Sequence, residues 1–212
     1  MTTRIIKVLL VDDHAIARNG VRLMLGTADD IRVAGEADNA QDALRLAEEG
    51  DFDVALVDIT MPGKNGLELL RTLHAALPKL AVLILSTYSE EVYAVRALRL
   101  GAAGYLTKDA PTPTLVAAVR KAAAGGKHVS PALLEKLASL IGGGAIGTHE
   151  ALSNRELEVF KLIAAGVSLV DVGRTLHLSP NTVTTYRARI LEKMGMASNA
   201  DLTRYALENG II

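Results

Sequence analysis

Residues 7–14, Lys7-Val8-Leu9-Leu10-Val11-Asp12-Asp13-His14, read "KVLLVDDH". Four apolar residues end abruptly in two adjacent carboxylates. A short apolar run closed by charge is the pattern of a buried strand. Like charges side by side repel, so the pair at the strand tip adds nothing to folding by itself. Its presence there asks for a chemical reason.

Working outward, four more apolar runs follow, at 31–37, 54–58, 81–85 and 104–107, after a first at 5–11. Between them lie segments of helical period. "NAQDALRLAEEG" (39–50) and "EEVYAVRALRLG" (90–101) space their apolar residues three and four apart. Asn39 suits the N-cap of the first, and Gly50 and Gly101 close the two segments. Strands alternating with helices of this length indicate βαβ units and a parallel sheet. The reading for residues 1–125 is a doubly wound five-stranded α/β domain with strand order 2-1-3-4-5. Its ligand site should lie beyond the carboxyl ends of the strands.

Composition bounds the rest. Half of the 212 residues are apolar and 22% are charged, which supports a packed core. Aromatics are 3% with no Trp, so that core must be aliphatic. The net charge of −1 predicts no bulk attraction to nucleic acid or anionic membrane. With no Cys there is no disulfide, thiolate nucleophile or Cys-ligated zinc. The N-terminal apolar run is too short for a signal peptide and runs into two Asp. No segment reaches the roughly 18 apolar residues of a membrane span. The expectation is a soluble, cytoplasmic protein.

After residue 125 the character changes. "VSPALLEKLASLI" (129–141) predicts a short helix from near Pro131, and "GGGAIG" (142–147) breaks it. Gly142, Gly144 and Gly147 have the spacing of a dinucleotide-binding fingerprint. They follow a helical pattern and no βαβ unit comes after, so residues 126–148 read as a linker with a Gly-rich tether. Residues 149–212 show no strand pattern. Ser153 with Glu156 forms a capping box for a first helix that ends at Gly166. A second runs from Ser168 to about Leu176. After a turn at 176–178, Ser179-Pro180 caps a third that ends at Gly195, and a fourth covers 198–209. Two short helices joined by a tight turn form a helix-turn-helix layout within an all-α unit.

The strand ends of the first domain gather chemistry. Asp12 and Asp13 end strand 1 and Asp58 ends strand 3, its neighbour in the predicted order. Strand 4 ends in Ser86-Thr87 and strand 5 in Thr107-Lys108. Alone, an Asp at a strand end is an ordinary turn former or helix cap. Three carboxylates converging on one edge raise one another's pKa unless a cation joins them. A hard divalent ion such as Mg²⁺ suits oxygen ligands. An Asp beside it can attack a phosphoryl group, with Lys108 offsetting charge on the phosphoryl oxygens. Asp58, alone on the central strand and facing the pair, is the best nucleophile.

"VLLVDDHA", "ALVDITMPGKNGLELL", "LILSTYSE" and "GAAGYLTKDA", in this order, resemble the receiver domain of a two-component response regulator. "LSNRELEVFKLIAAG" and "SLVDVGRTLHLSPNTVTTYRARILEKMGM" resemble a LuxR-type helix-turn-helix. Together they resemble the NarL/FixJ family over nearly the whole chain. The resemblance implies a flavodoxin-like receiver whose Asp58 accepts phosphate from a sensor histidine kinase. It implies that Asp13, Asp58 and the backbone carbonyl of Thr60 ligate Mg²⁺, with Asp12 acting through water. Ser86 takes the role of switch hydroxyl, Tyr105 of switch aromatic, and Lys108 of phosphoryl-binding lysine. Aspartyl phosphate then draws Ser86 and the strand 4–helix 4 region inward. Tyr105 follows, the helix 4–strand 5–helix 5 surface is remodelled, and dimerisation or the C-terminal domain responds. Tyr88, a bulky residue where the family varies, is expected to shield the acyl phosphate from water.

In the third C-terminal helix, spacing puts Val183, Tyr186, Ile190 and Met194 on one, core-facing side. Thr182, Thr184, Thr185, Arg189 and Lys193 fall on the others, suited to base edges and phosphates, with Arg187 at the border. From His149 on, seven basic and seven acidic residues balance, so the charge is local rather than general. This predicts few phosphate contacts per subunit, a modest salt dependence and binding to double-stranded DNA as a dimer on paired half-sites. Gly173 stands where the family often has Ala, at a helix-propensity cost of about 1 kcal/mol. Two alternatives remain at this stage: a DNA-binding regulator independent of phosphorylation, and a Mg²⁺-dependent aspartyl phosphohydrolase. The second lacks a general acid two residues after Asp58, where Thr60 stands.

Overall fold

The structure, a computed structural model, describes residues 4–61, 65–87, 90–141 and 149–212. The chain divides into two compact units, Met1–Glu135 and Lys136–Ile212.

The first unit alternates β1 (Ile6–Val11), α1 (Ala15–Leu25), β2 (Ile31–Ala37), α2 (Ala40–Glu49), β3 (Val54–Val57), α3 (Gly66–Ala76), β4 (Ala81–Ser86), α4 (Glu90–Arg99), β5 (Gly104–Thr107) and α5 (Thr112–Ala123). The strands pair in parallel in the order β2-β1-β3-β4-β5, as the sequence predicts. All four residues of β3 are buried, because a parallel sheet covered on both faces needs apolar side chains in both directions. On one face Val8, Leu10, Leu56 and Leu83 meet Val21 and Leu25 of α1 and Leu115 and Val119 of α5. Helices α2 and α3 pack together on the other. Strand ends shift slightly from expectation. β1 starts at Ile6, β3 stops before Asp58, and β4 includes Ser86.

Register positions the site. Val11 pairs with Val57, and the Asp58 N–H donates to Val11 O at 2.9 Å. Asp58 therefore emerges beside Asp12. Ser86 pairs with Thr107, and the Lys108 N–H donates to Ser86 O at 2.8 Å. After β3 the chain turns into α3, whose first residue is Gly66. A Cβ at Gly66 would lie 1.9 Å from Asp58 O, so only glycine lets the helix start this close to the acid.

Past residue 125 the chain stays against the sheet. The His128 N–H donates to Ala103 O at 2.7 Å, and His128 bridges Gly104 beside β5. Helix α6 (Pro131–Ile141) buries Leu133. Residues 126–135 thus complete the first unit instead of leaving it. The predicted tether glycines Gly142, Gly144 and Gly147 lie outside the described residues, as does Tyr88.

In the second unit a single 3-10 turn, His149–Ala151, precedes α7 (Asn154–Ala164), α8 (Leu169–Leu176), α9 (Pro180–Met194) and α10 (Asn199–Glu208). Ser153 and Glu156 form the capping box, and Ser168, Ser179 and Ser198 each accept from the third helical N–H. The core is Leu157, Phe160, Ile163, Val172, Val183, Ile190, Met194 and Leu202. Gly173 is not simply a poor helix former. A Cβ there would lie 2.8 Å from Leu178 O, in a turn where the Leu178 N–H donates back to Gly173 O at 2.8 Å. In this turn an alanine at 173 would press on a backbone carbonyl, so α8 and the turn would have to shift to admit it.

Candidate phosphoacceptor site and nucleic-acid interface

Three elements bring the acids together at the carboxyl edge of the sheet. Asp12 is 1% exposed and Asp58 3%. Lys108, delivered by β5, places its Nζ 2.6 Å from Asp12 Oδ2 and 2.7 Å from Asp58 Oδ2. The second oxygen of Asp12 accepts the His14 N–H at 2.8 Å. Both oxygens of Asp12 are therefore occupied, whereas Asp58 Oδ1 is buried with no hydrogen-bond partner among the described residues. Burial is the largest influence on Asp58 and pushes its carboxyl above the ordinary range; Lys108 opposes this and Asp12 adds to it. For Lys108, burial acts downward, but the bonds to Asp12 and Asp58 outweigh it and hold the ammonium above the usual lysine value.

Asp12, Asp13, His14 and Asp58 each offer one ligand atom, and these atoms lie within 4.8 Å of one another. That spread and the orphaned Asp58 oxygen fit a hard divalent cation. Thr60 is exposed, with its amide close enough to Asp58 to lower that carboxyl's pKa. Ser86 is fully buried behind the acids, and Tyr105 is 2% exposed. The sequence reading missed His14, the exposed residue at the N-cap of α1. Its only signal was its place directly after the acid pair.

On α9 the predicted faces hold with one correction. Val183, Ile190 and Met194 are buried, but Tyr186 is only half-buried. Its ring lines a shallow surface depression with Asn181, Thr182, Thr185 and Arg189. A tyrosine at the edge of a helical stripe keeps its hydroxyl in water by turning outward. Thr184 and Thr185 are exposed and donate their hydroxyl protons to Pro180 O and Asn181 O, both at 3.0 Å. Thr182 shares its hydroxyl with Ser179 at 2.8 Å. Arg187 donates to Asn199 Oδ1 at 2.6 Å. Lys193 is engaged with Glu156 Oε2 at 2.7 Å, with side-chain exposures of 42% and 4%. The lysine predicted to touch DNA thus holds α9 to the capping box of α7.

Two buried acids and a half-buried third, joined by a lysine on a 2-1-3-4-5 sheet and followed by a helix-turn-helix, define a phosphoacceptor joined to a DNA-reading module. Residues 8–120 match the response regulator receiver domain, and residues 150–206 match the bacterial regulatory proteins of the luxR family. The chain belongs to the NarL/FixJ-type response regulators of two-component systems. It is 37% identical over 209 residues to the response regulator GacA of Pseudomonas aeruginosa, covering 98% of each chain. It is 32% identical over 208 residues to the response regulator UvrY of Escherichia coli, covering 97% of this chain and 95% of that one. Among solved structures it resembles the response regulator ChrA of a heme-sensing two-component system, at 33% identity and TM-score 0.55, covering 98% of this chain and 99% of that one. It also resembles RcsB from Salmonella enterica serovar Typhimurium, bound to promoter rprA in the presence of the phosphomimetic BeF3⁻. There the identity is 25% and the TM-score 0.68, covering 94% of this chain and 98% of RcsB. The protein is a phosphorylation-dependent DNA-binding regulator served by a histidine kinase. No helix among the described residues is long and apolar enough to cross a membrane.

Proposed function

We propose that Asp58 is the phosphoacceptor, and that the orphaned Asp58 Oδ1 is the attacking oxygen. One observation carries this: Lys108 occupies Oδ2 at 2.7 Å, while Oδ1 is buried without a partner. Oδ1 attacks the phosphorus of the kinase phosphohistidine. An O–P bond forms, the N–P bond breaks, and the imidazole leaves and takes up a proton. Lys108 orients the carboxylate and meets the phosphoryl oxygens as their charge develops. Asp13 and Asp58, with the Thr60 carbonyl, are the residues to hold Mg²⁺; Asp12 has spent its oxygens on Lys108 and the His14 amide, which supports an indirect role. When bound, Mg²⁺ supplies positive charge that offsets the phosphoryl oxygens. Ser86, fully buried at the end of β4, follows the phosphoryl group, with Tyr105 in β5 and Lys108 just past its end. With Thr60 where a hydrolase would hold a general acid, Asp58 reacts once and stores the phosphoryl group.

The DNA face of α9 is Thr182, Thr184, Thr185, Arg187 and Arg189, with Lys193 available only by leaving Glu156. RcsB, bound to a promoter in its solved structure, supports that use of the module. Paired half-sites and a dimer follow from the small number of cations per helix. The working domains are the N-terminal receiver, a linker to residue 148, and the helix-turn-helix domain from 149. Incubation with a small-molecule phosphodonor and Mg²⁺ should add one phosphoryl mass to the chain and none to Asp58→Asn, and DNA selection should yield enriched sites only with the phosphorylated parent. Equal phosphorylation of Asp58→Asn would overturn the assignment.

A further inference from the structure

The cation site carries a nitrogen donor. His14 Nδ1 lies 2.9 Å from Asp13 Oδ1 and 3.6 Å from Asp12 Oδ1, and it belongs to the set of ligand atoms within 4.8 Å of one another. The imidazole does not cap α1: the N-cap position makes no side-chain hydrogen bond to the helix. It is 64% exposed, so the ring stands at the mouth with a face open to an incoming ion. A second observation points into the same cluster. Asp58, 3% exposed, turns an oxygen without a hydrogen-bond partner toward it.

Oxygen-only ligand sets suit Mg²⁺, which binds imidazole poorly and keeps several waters. Imidazole suits nickel, cobalt and zinc, and affinity for such mixed N/O sites rises along the first row. One His in an Asp site therefore changes which ion the site prefers while leaving the carboxylates shared. We propose that His14 is a direct nitrogen ligand that tunes this receiver toward borderline divalent cations of the nickel and cobalt class, in competition with Mg²⁺ for Asp13 and Asp58. The inference rests on the cation-site reading above. It implies that the phosphoacceptor of this chain is more sensitive to such ions than an otherwise identical receiver without His14. The competing role for the ring is a hydrogen bond to Asp13, which an asparagine amide can still donate although it lacks the imidazole nitrogen that favours borderline metals.

The test uses the full-length, tag-free protein stripped of metal. Ni²⁺ and Mg²⁺ are titrated by calorimetry into the parent, His14→Asn and His14→Ala. The asparagine variant keeps a hydrogen-bond donor for Asp13 and lacks the imidazole. The expected result is that the ratio of Ni²⁺ to Mg²⁺ affinity falls by about tenfold or more in both variants, and that Mg²⁺ displaces Ni²⁺ from the parent. A ratio unchanged in His14→Asn overturns the proposal and leaves His14 as a partner of Asp13. Tight Ni²⁺ binding that survives Asp13→Asn also overturns it, because the ion then sits on other histidines. Failure of the parent to bind Mg²⁺ at all, with Asp58 unmodified by phosphodonor, overturns the cation-site reading and this inference with it.

Discussion

Replacing Lys193 with Gln separates two roles for one residue. In the folded chain Lys193 Nζ sits 2.7 Å from Glu156 Oε2, and that same oxygen accepts the Ser153 N–H at 2.6 Å. Removing one partner of a buried pair costs about 3–5 kcal/mol when both charges are out of water. Here Lys193 is 42% exposed, and Glu156 keeps its backbone bond, so solvent and the Ser153 amide recover part of the loss. A cost of about 1–2 kcal/mol remains. For a unit of this size that lowers the unfolding midpoint by about 4–8 °C per kcal/mol. The effect has a pH signature. Burial drives Glu156 upward, yet the Lys193 and Ser153 bonds outweigh it and hold its pKa below 4.5. A carboxyl depressed in the fold contributes stability that is present above its unfolded pKa and lost as pH falls through the folded one. In Lys193→Gln that loss begins at higher pH, and the difference between parent and variant disappears under acid conditions. Calorimetry across pH, with hydrogen exchange of the α7 and α9 amides, measures it. A midpoint unchanged at pH 7, together with a salt slope of DNA binding reduced by about one, would show that Lys193 serves phosphate and not Glu156, and the reasoning would fail.

Three further outcomes follow from the packing. Gly66→Ala puts a Cβ where Asp58 O stands 1.9 Å away; phosphorylation should slow markedly, and stability should drop by about 1–3 kcal/mol, read by phosphodonor kinetics and denaturant melts. Gly173→Ala improves intrinsic helix propensity by about 1 kcal/mol yet should destabilise the second unit, because Leu178 O is backbone and cannot step aside from a Cβ at 2.8 Å; a raised melting midpoint would contradict the turn geometry. Burial lowers Lys161 to about 8, so the fold disfavours its charged form. That penalty is full below pH 8 and is relieved as pH rises toward 10.5, the unfolded value; Lys161→Met should stabilise the protein at pH 7, by on the order of 3 kcal/mol at most, and abolish the gain in stability between those pH values.

The pair in "KVLLVDDH" changes meaning once partners are assigned. Read alone, Asp12 and Asp13 are two repelling charges. In the fold Asp12 is neutralised by Lys108, and Asp13 lies 2.9 Å from the His14 ring. Neither partner was evident, for different reasons. Sequence alone reads Lys108 as a phosphoryl-binding lysine, but its bond to Asp12 depends on β5 lying three strands along the sheet from β1. His14 is adjacent in sequence, but whether an N-cap imidazole points back over the acids depends on a rotamer. The same limit applies on α9, where stripe periodicity placed Tyr186 inside and its ring turned to the surface.

What the sequence determined by itself is what depends on neighbours a few residues apart. Strand and helix alternation, the serine caps and the residue types at the strand tips all follow from local periodicity and local hydrogen bonding. What only the tertiary structure decided is which charges meet. Lys108 bridges Asp12 and Asp58, Lys193 leaves the DNA face for Glu156, Gly66 and Gly173 admit a passing carbonyl, and Asp58 retains one oxygen without a partner. The charge pairings depend on distances of a few ångströms between segments far apart in the chain, and the two glycine contacts on how closely a helix packs against the turn beside it; both exist only after the elements have packed.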